Sequence, residues 1–434
     1  MKPRVLLSAY QCGPGEGSVS QIGWEWYSRL SARTPVTLVT HIRNKKALTA
    51  AGAPLRGSEV HYIDTEWFAA PLYRLASRLF PNSQHSAFLM SSLDYFVYDR
   101  IALKLLQALD PLDRWDLVHA VTPVSPAGAT RLHKLNLPVI LGPWNGGLVS
   151  PKTFPGIMRD DSGWLYKVRN VGQYLDRAFS TTASAAAILT ATRATDEAIR
   201  PENRSRCIRM LENAVDLEIF HPSDPLPLPS ADMPLRIVFV GRLLPFKGVG
   251  MLLEALRRLR GEVPVELSIV GDGPLRAGLE QTARDSGLAD SVHFRGALPL
   301  PQVAEEMRRS HLFCLPSVRE SGGAVVLEAM ASGLPVMAVN YGGPAEIVDE
   351  IVGHALSAEG PEPLIEDMMR SFRDVDRDPV GWMKRGAAGR DRAEHLYSWD
   401  AKIDAALRLY ERITQTRDSP AAAAAQVAEA HLVR

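Results

Sequence analysis

Leu312-Phe313-Cys314-Leu315-Pro316, then Glu320-Ser321-Gly322-Gly323-Ala324-Val325-Val326-Leu327-Glu328, then Ala331-Ser332-Gly333-Leu334-Pro335-Val336: this stretch decides the fold. The first run is short, continuous and apolar, the pattern of a buried strand. The run from Ala324 reads as a helix, ended by Gly333. A further apolar run, Val336–Val339, then supplies the next strand. Strand, crossover helix and strand in this order build a parallel α/β sheet. Glu320 stands on the loop at the first strand's carboxyl end, where open α/β sheets bind ligands. Glu328 lies one or two turns into the helix, and between them Gly322 and Gly323 let backbone amides approach a bound anion. Taken alone, the pair reads equally well as a loop glutamate and a solvated helix glutamate.

The same alternation extends both ways. Upstream, Arg236–Val240, Val265–Val270 and Val292–Phe294 read as strands, the first followed by a helix over Leu252–Leu259. The amino-terminal half has its own series: Val5–Ala9, Val36–Thr40, Val60–Ile63, Leu117–Val121, Val139–Leu141 and Ile188–Ala191. Between the series, residues 216–234 carry Pro222, Pro225, Pro227 and Pro229, the composition of a linker. The expected organisation is a domain over 1–215, the linker, a second domain over 235–400, a helix over 401–415 returning to the first domain, and an alanine-rich tail over 416–434. Two such sheets imply a cleft between domains, a favoured ligand position. Residues 66–108 form a helical insertion, with Trp67, Phe68, Leu72, Tyr73, Leu75, Leu79 and Phe80 interleaved with Arg74 and Arg78. Its plain reading is a helix packed on its own domain; the other is an interfacial or acceptor-recognition element.

Bulk properties narrow the class. At 434 residues the chain exceeds one ordinary core. Hydrophobic content of 46% and charged content of 23% are those of a globular protein. Residues 1–222 hold 25 Lys+Arg against 19 Asp+Glu, a balance of +6, and the remainder carries −6. That asymmetry is too mild for nucleic acid and suits an anionic acceptor or membrane surface. Cys12, Cys207 and Cys314 lack metal-like spacing and point to a reducing compartment. The first apolar run is too short for a signal peptide, and none reaches membrane-spanning length. The expectation is a cytoplasmic protein, at most peripheral on the inner face of a membrane.

Gly241-Arg242 and Lys247-Gly248 follow the first strand of the second series. A guanidinium and an ammonium at a strand's carboxyl end, ahead of a helix, can hold a diphosphate without metal. Singly, each is as readily a solvated loop charge. Gly271-Asp272-Gly273-Pro274 is a tight turn. In this order, with the E-x7-E segment, Glu328-Ala329-Met330, Gly342-Gly343-Pro344-Ala345-Glu346-Ile347-Val348 and Tyr397-Ser398-Trp399, the residues resemble the retaining glycosyltransferases of family 4. The resemblance covers residues 1–415 and is strongest over 236–350. It implies the GT-B fold, two doubly wound Rossmann-like domains facing each other across a cleft. It implies a nucleotide-diphosphate hexose (UDP or GDP) as donor, a glycan or lipid-linked glycan as acceptor, and no metal or other cofactor.

The site residues follow from that resemblance. Arg242 and Lys247 would neutralise the diphosphate, Glu320 would hold the donor sugar's hydroxyls and Glu328 the ribose. Gly241, Gly271, Gly322, Gly323 and Ala324 would line the donor. Gly15 and Gly17, in Cys12-Gly13-Pro14-Gly15-Glu16-Gly17-Ser18, match a glycine-rich loop near donor phosphates and acceptor, with Glu16 and Ser18 on the acceptor side. Asn145 and Gly146, in Gly142-Pro143-Trp144-Asn145-Gly146-Gly147, match a turn of one branch of the family, also on the acceptor side. Asp116-Leu117-Val118-His119 matches a strand end that makes His119 a catalytic candidate, or else a buried histidine. Two departures stand out: Val121 replaces a second histidine, and Gly322 an aromatic, which implies a roomier or backbone-lined sugar pocket. The competing functions are another GT-B activity, such as nucleotide-sugar epimerase or phosphorylase, and a non-catalytic sugar-nucleotide-binding protein.

Overall fold

The computed structural model describes residues 2–79, 93–149, 151–155, 174–224, 226–230 and 233–418. The chain divides into two compact units. The first comprises Met1–Gly147, Gly163–Glu212 and Ile403–Arg434, and the second Leu148–Ser162 and Asn213–Lys402. The break at Glu212/Asn213 falls a few residues before the expected one, and the proline-rich stretch lies within the second unit. The segment Leu148–Ser162 also falls in the second unit, a crossing that no sequence signal marked.

The first unit is built on seven parallel strands: β1 (Val5–Ala9), β2 (Val36–His41), β3 (Glu59–Ile63), β4 (Leu117–Thr122), β5 (Val139–Trp144), β6 (Ala187–Thr190) and β7 (Cys207–Arg209). Their order is β3-β2-β1-β4-β5-β6-β7. Strands β1, β2, β4 and β5 are buried at every position, which is why they read as continuous apolar runs rather than alternating ones. Chain order reverses between β1 and β4, where Leu7 pairs with His119. Of the insertion, helix Asp94–Gln107 packs Tyr95, Tyr98, Ala102, Leu103 and Leu106 into the core against Leu6, Trp115 and Val118. Helix Glu66–Leu79 departs from the plain reading: Trp67, Tyr73 and Leu75 are exposed and Ala69 is buried. Phe80 lies outside the described residues.

The second unit holds six parallel strands: β8 (Leu235–Val240), β9 (Val265–Val270), β10 (Val292–Gly296), β11 (Leu312–Leu315), β12 (Val336–Val339) and β13 (Gly353–Leu356). The order β10-β9-β8-β11-β12-β13 reverses between β8 and β11. Ligands in open α/β sheets sit at such reversals, because the flanking crossovers leave on opposite faces and open a crevice. Among the described residues no helix is long and apolar enough to cross a membrane. Helix Trp399–Asp418 starts within the second unit and continues in the first.

Candidate active site

The loops that follow β8 and β11 flank the reversal of the second sheet, and the backbone binds them together. Gly248, at φ +73°, precedes helix Val249–Leu259, and a Cβ there would sit 2.1 Å from the Pro316 carbonyl oxygen. Only glycine permits both the left-handed turn and that approach. The Val318 amide donates to the Phe246 carbonyl at 2.9 Å. On the far side, a Cβ on Gly342 would come within 2.1 Å of the Glu320 carbonyl, which accepts the Gly343 amide at 2.9 Å. The Gly342-Gly343 pair is thus a buttress for the Glu320 loop, a role its sequence did not disclose. Leu243 N–H donates to Asp272 O at 2.9 Å, and Gly241 N–H to Val270 O at 2.9 Å, tying in the loop after β9.

These loops bring Arg242, Lys247, Glu320 and Glu328 to one end of one sheet. Lys247 Nζ and Glu320 Oε2 form an ion pair, their side chains only 14% and 18% exposed. Arg242 is exposed and its guanidinium has no hydrogen-bond or ion-pair partner among the described residues. Glu328, on helix Ala324–Ala331, is half-buried, and its carboxylate likewise has no partner among the described residues. Burial without compensation favours the neutral acid and pushes Glu328 up to about 7. Gly323, at φ +64°, caps that helix with no side-chain bond, and the amides of Gly322, Gly323 and Ala324 have no backbone acceptor among the described residues. The arrangement offers an unpaired cation, an unpaired carboxylate and free helix-start amides. That set fits an anion joined to hydroxyl groups. No group of three or more His, Cys, Asp or Glu that could hold a metal occurs among the described residues.

In the first unit Gly15, Glu16 and Gly17 lie exposed on the loop after β1 and Ser18, also exposed, opens helix Ser18–Ser31; the Gly15 amide donates to Gln21 Oε1 at 3.1 Å. Asn145 and Gly146 follow β5. Asn145 Nδ2 donates to Glu212 Oε1 at 2.6 Å, and Gly146 N–H to Thr195 Oγ1 at 3.2 Å. Glu212 is buried and escaped sequence reasoning, since nothing near Leu211-Glu212-Asn213 sets it apart. Of the two readings of His119, the structure favours the buried histidine. It sits third in the six-residue β4 and is fully buried. Its Nε2 lies 2.7 Å from the Gly142 carbonyl, which can only accept, so that nitrogen carries the proton. Its Nδ1, 2.5 Å from the Tyr410 hydroxyl, therefore accepts. The Trp26 ring closes it edge-on at 4.8 Å between centroids, and burial lowers the imidazole to about 3. With both nitrogens engaged and no exposure, His119 does not reach a substrate.

Residues 224–375 match the family model described as Glycosyl transferases group 1. That segment is similar to group 1 glycosyltransferases. It covers β8 to β13 and all four residues gathered at the reversal. The chain is 33% identical over 227 residues to a D-inositol 3-phosphate glycosyltransferase of Frankia alni, covering 48% of this chain and 53% of that protein. It is 31% identical over 178 residues to the 2-deoxystreptamine glucosyltransferase of Streptomyces kanamyceticus, covering 41% and 45%. The chain thus spans about half the length of the curated relatives it matches. Among solved structures it resembles Anabaena HepE in complex with UDP, at a TM-score of 0.62 and 16% identity, over 96% of this chain and all of that one. It also resembles WaaG, a glycosyltransferase involved in lipopolysaccharide biosynthesis, at 0.55 and 17%, over 93% and 98%. The two parallel sheets, of seven and six strands, are those of the GT-B fold.

Proposed function

We propose that the protein is a metal-independent, retaining family-4 glycosyltransferase that moves a hexose from a UDP- or GDP-sugar to a glycan or lipid-linked glycan hydroxyl, as in cell-surface polysaccharide or glycoconjugate synthesis. The observation that carries this reading is the set of unpartnered groups beside the β8/β11 reversal: Arg242, the Glu328 carboxylate and the amides of Gly322 to Ala324. Glu328 accepts the ribose hydroxyls, and the amides meet diphosphate oxygens. Arg242 and Lys247 stabilise the charge that grows on the diphosphate as it leaves. Lys247 is already paired with Glu320, so the cation on the phosphate and the carboxylate on the hexose hydroxyls are positioned by one contact.

In the transfer step the bond from the sugar's anomeric carbon to the phosphate oxygen breaks. The acceptor oxygen bonds to that carbon on the same face, and its proton passes to the departing phosphate. No protein base is needed, in keeping with the sealed His119. UDP in the HepE structure supports a uridine donor, and the inositol phosphate named for one relative supports a polyol hydroxyl as acceptor. Helix Glu66–Leu79, with Trp67 and Leu75 exposed and Arg78 in its last turn, supports docking on the cytoplasmic face of an anionic membrane. Release of nucleoside diphosphate from a panel of UDP- and GDP-hexoses tests the reading. Wild-type protein should hydrolyse or transfer one of them, and Glu320→Gln should slow this about 10²-fold. A donor that binds but is never turned over, with any acceptor, would instead make this a binding protein.

A further inference from the structure

Away from the donor residues, the first unit carries a cavity of about 480 Å³ lined by Arg43, Glu66, Ala69, Ala70, Tyr73 and Arg74. Nothing in the donor reading uses it. Its position follows from the topology: Tyr10 follows β1, His41 ends β2 and Thr65 follows β3, so three strand carboxyl ends converge behind it. They meet on Asp94, which is fully buried. The Tyr10 hydroxyl donates to Asp94 Oδ2 at 2.8 Å and Thr65 Oγ1 to Asp94 Oδ1 at 2.5 Å. His41 Nδ1 accepts the Arg43 amide at 3.1 Å, so its Nε2 carries the proton toward Thr65 Oγ1 at 2.7 Å. Arg43 Nη2 reaches Asp94 at 3.2 Å, and Arg43 Nε pairs with Glu66. The guanidinium is therefore held by two carboxylates while about half its side chain stays exposed.

The opposite wall is helix Glu66–Leu79. At 100° per residue, Ala69, Tyr73, Glu66 and Ala70 fall on one side of it and Trp67, Pro71 and Leu75 on another, with Arg74 at the border between them. The face that suits a membrane and the face that lines the cavity thus adjoin at Arg74. Arg74 reaches only its own helix, through Nε to Ala70 O at 3.3 Å, and has no carboxylate partner among the described residues. Tyr73 is 61% exposed, a bare aromatic ring at the rim. A fixed guanidinium, a second unpaired one, a carboxylate and an open ring are the groups that bind a polyol bearing an oxyanion. Arg74 can take the anion in bidentate fashion with Arg43 adding charge beside it, the carboxylate takes hydroxyls and the ring covers an apolar sugar face.

We propose that this cavity is an acceptor subsite for an acidic sugar, one that carries a carboxylate or a phosphate ester. The proposal rests on the glycosyltransferase reading only for the word acceptor; the binding chemistry stands by itself. The test is calorimetric titration of the full chain with glucuronate, glucose 6-phosphate and neutral glucose, with UDP titrated in parallel. At least one anionic sugar should bind saturably, and glucose at least about tenfold more weakly. Arg74→Gln and Tyr73→Ala, both at exposed positions, should each weaken the anion about tenfold or more and leave UDP binding unchanged. A preference for glucuronate over glucose 6-phosphate would assign the anion as carboxylate, and the reverse as phosphate. Anionic sugars that fail to bind, or that bind Arg74→Gln as tightly as wild type, overturn the subsite. Loss of UDP binding in the wild-type chain would count against the donor reading instead.

Discussion

Among the described residues, polar groups at the reversal of the second sheet are left without partners, whereas those between β1 and β4 bond one another. Beside β8 and β11 stand Arg242, the Glu328 carboxylate and bare amides at a helix start. Beside β1 and β4, Thr122 Oγ1 bonds both the N–H and the carbonyl of Gln11 at 3.0 Å, and His119 is closed by Tyr410 and Gly142. Leaving a half-buried carboxylate unpaired costs stability, so its persistence suits a ligand that completes it. The group 1 match stops within the second unit, at residues 224–375. The difference teaches a division of labour: one sheet keeps unpaired groups that suit the proposed donor, and the other is closed at its centre, with an open polar cavity displaced toward β2 and β3.

The most damaging substitutions should be those at the unfilled site. Arg242→Ala and Lys247→Ala are each expected to lower turnover by roughly 10²-fold, the scale of one preorganised charge contact in the transition state. Initial rates with saturating donor check this. If the combined variant turned over at near the wild-type rate, the contrast between the two sheets would have no functional meaning.

Glu328 sharpens the contrast through pH. Its carboxyl must ionise to accept ribose hydroxyls, and burial holds it near 7 in the unliganded chain. Affinity for a nucleotide sugar should therefore fall as pH drops from 8 to 6, by up to about tenfold, and Glu328→Gln should bind more weakly with no such slope. Stability runs the other way. A carboxyl raised above its ordinary 4.5 favours the folded chain at low pH, and that contribution is lost as pH rises through about 7. Without ligand at pH 8, Glu328→Gln should melt higher, by roughly 1–2 kcal/mol after discounting the exposed part of the side chain. A lower melting temperature would mean that the carboxylate has a structural partner.

How much of this the sequence disclosed varies with burial. Central strands such as Val5–Ala9 and Leu312–Leu315 read off at their observed bounds, because strands covered on both faces become mainly apolar runs. The two strands that escaped, Cys207–Arg209 and Gly353–Leu356, are sheet edges. They are short and half-exposed, so neither carries a run to detect. The residues gathered at the second sheet's reversal were legible as candidates because glycines and charges stand together at strand ends there. The two readings of His119 could not be separated in the sequence, because Tyr410, its partner, lies 291 residues away. Helix Glu66–Leu79 misled for another reason: its apolar residues suggest packing, and no sequence rule says that Trp67 and Leu75 face outward.

The smallest effect should come from the closed sheet. Tyr410→Phe removes the hydroxyl that His119 Nδ1 accepts from, leaving a buried acceptor unpaired at a cost of about 1–2 kcal/mol. Thermal melts should show that loss while kcat/KM stays within about threefold. A drop of about 10²-fold in kcat, with the fold intact, would restore a catalytic part to His119.

Calorimetric titration of UDP and GDP in the presence of chelator, into wild-type protein and the folded Arg242→Ala/Lys247→Ala variant, tests the donor site most directly. One of the two nucleotides should bind wild-type protein without added metal, and the double variant at least about 100-fold more weakly, a loss of about 2.7 kcal/mol. Equal affinity in the two proteins, or binding that appears only when magnesium or manganese is supplied, would contradict the account.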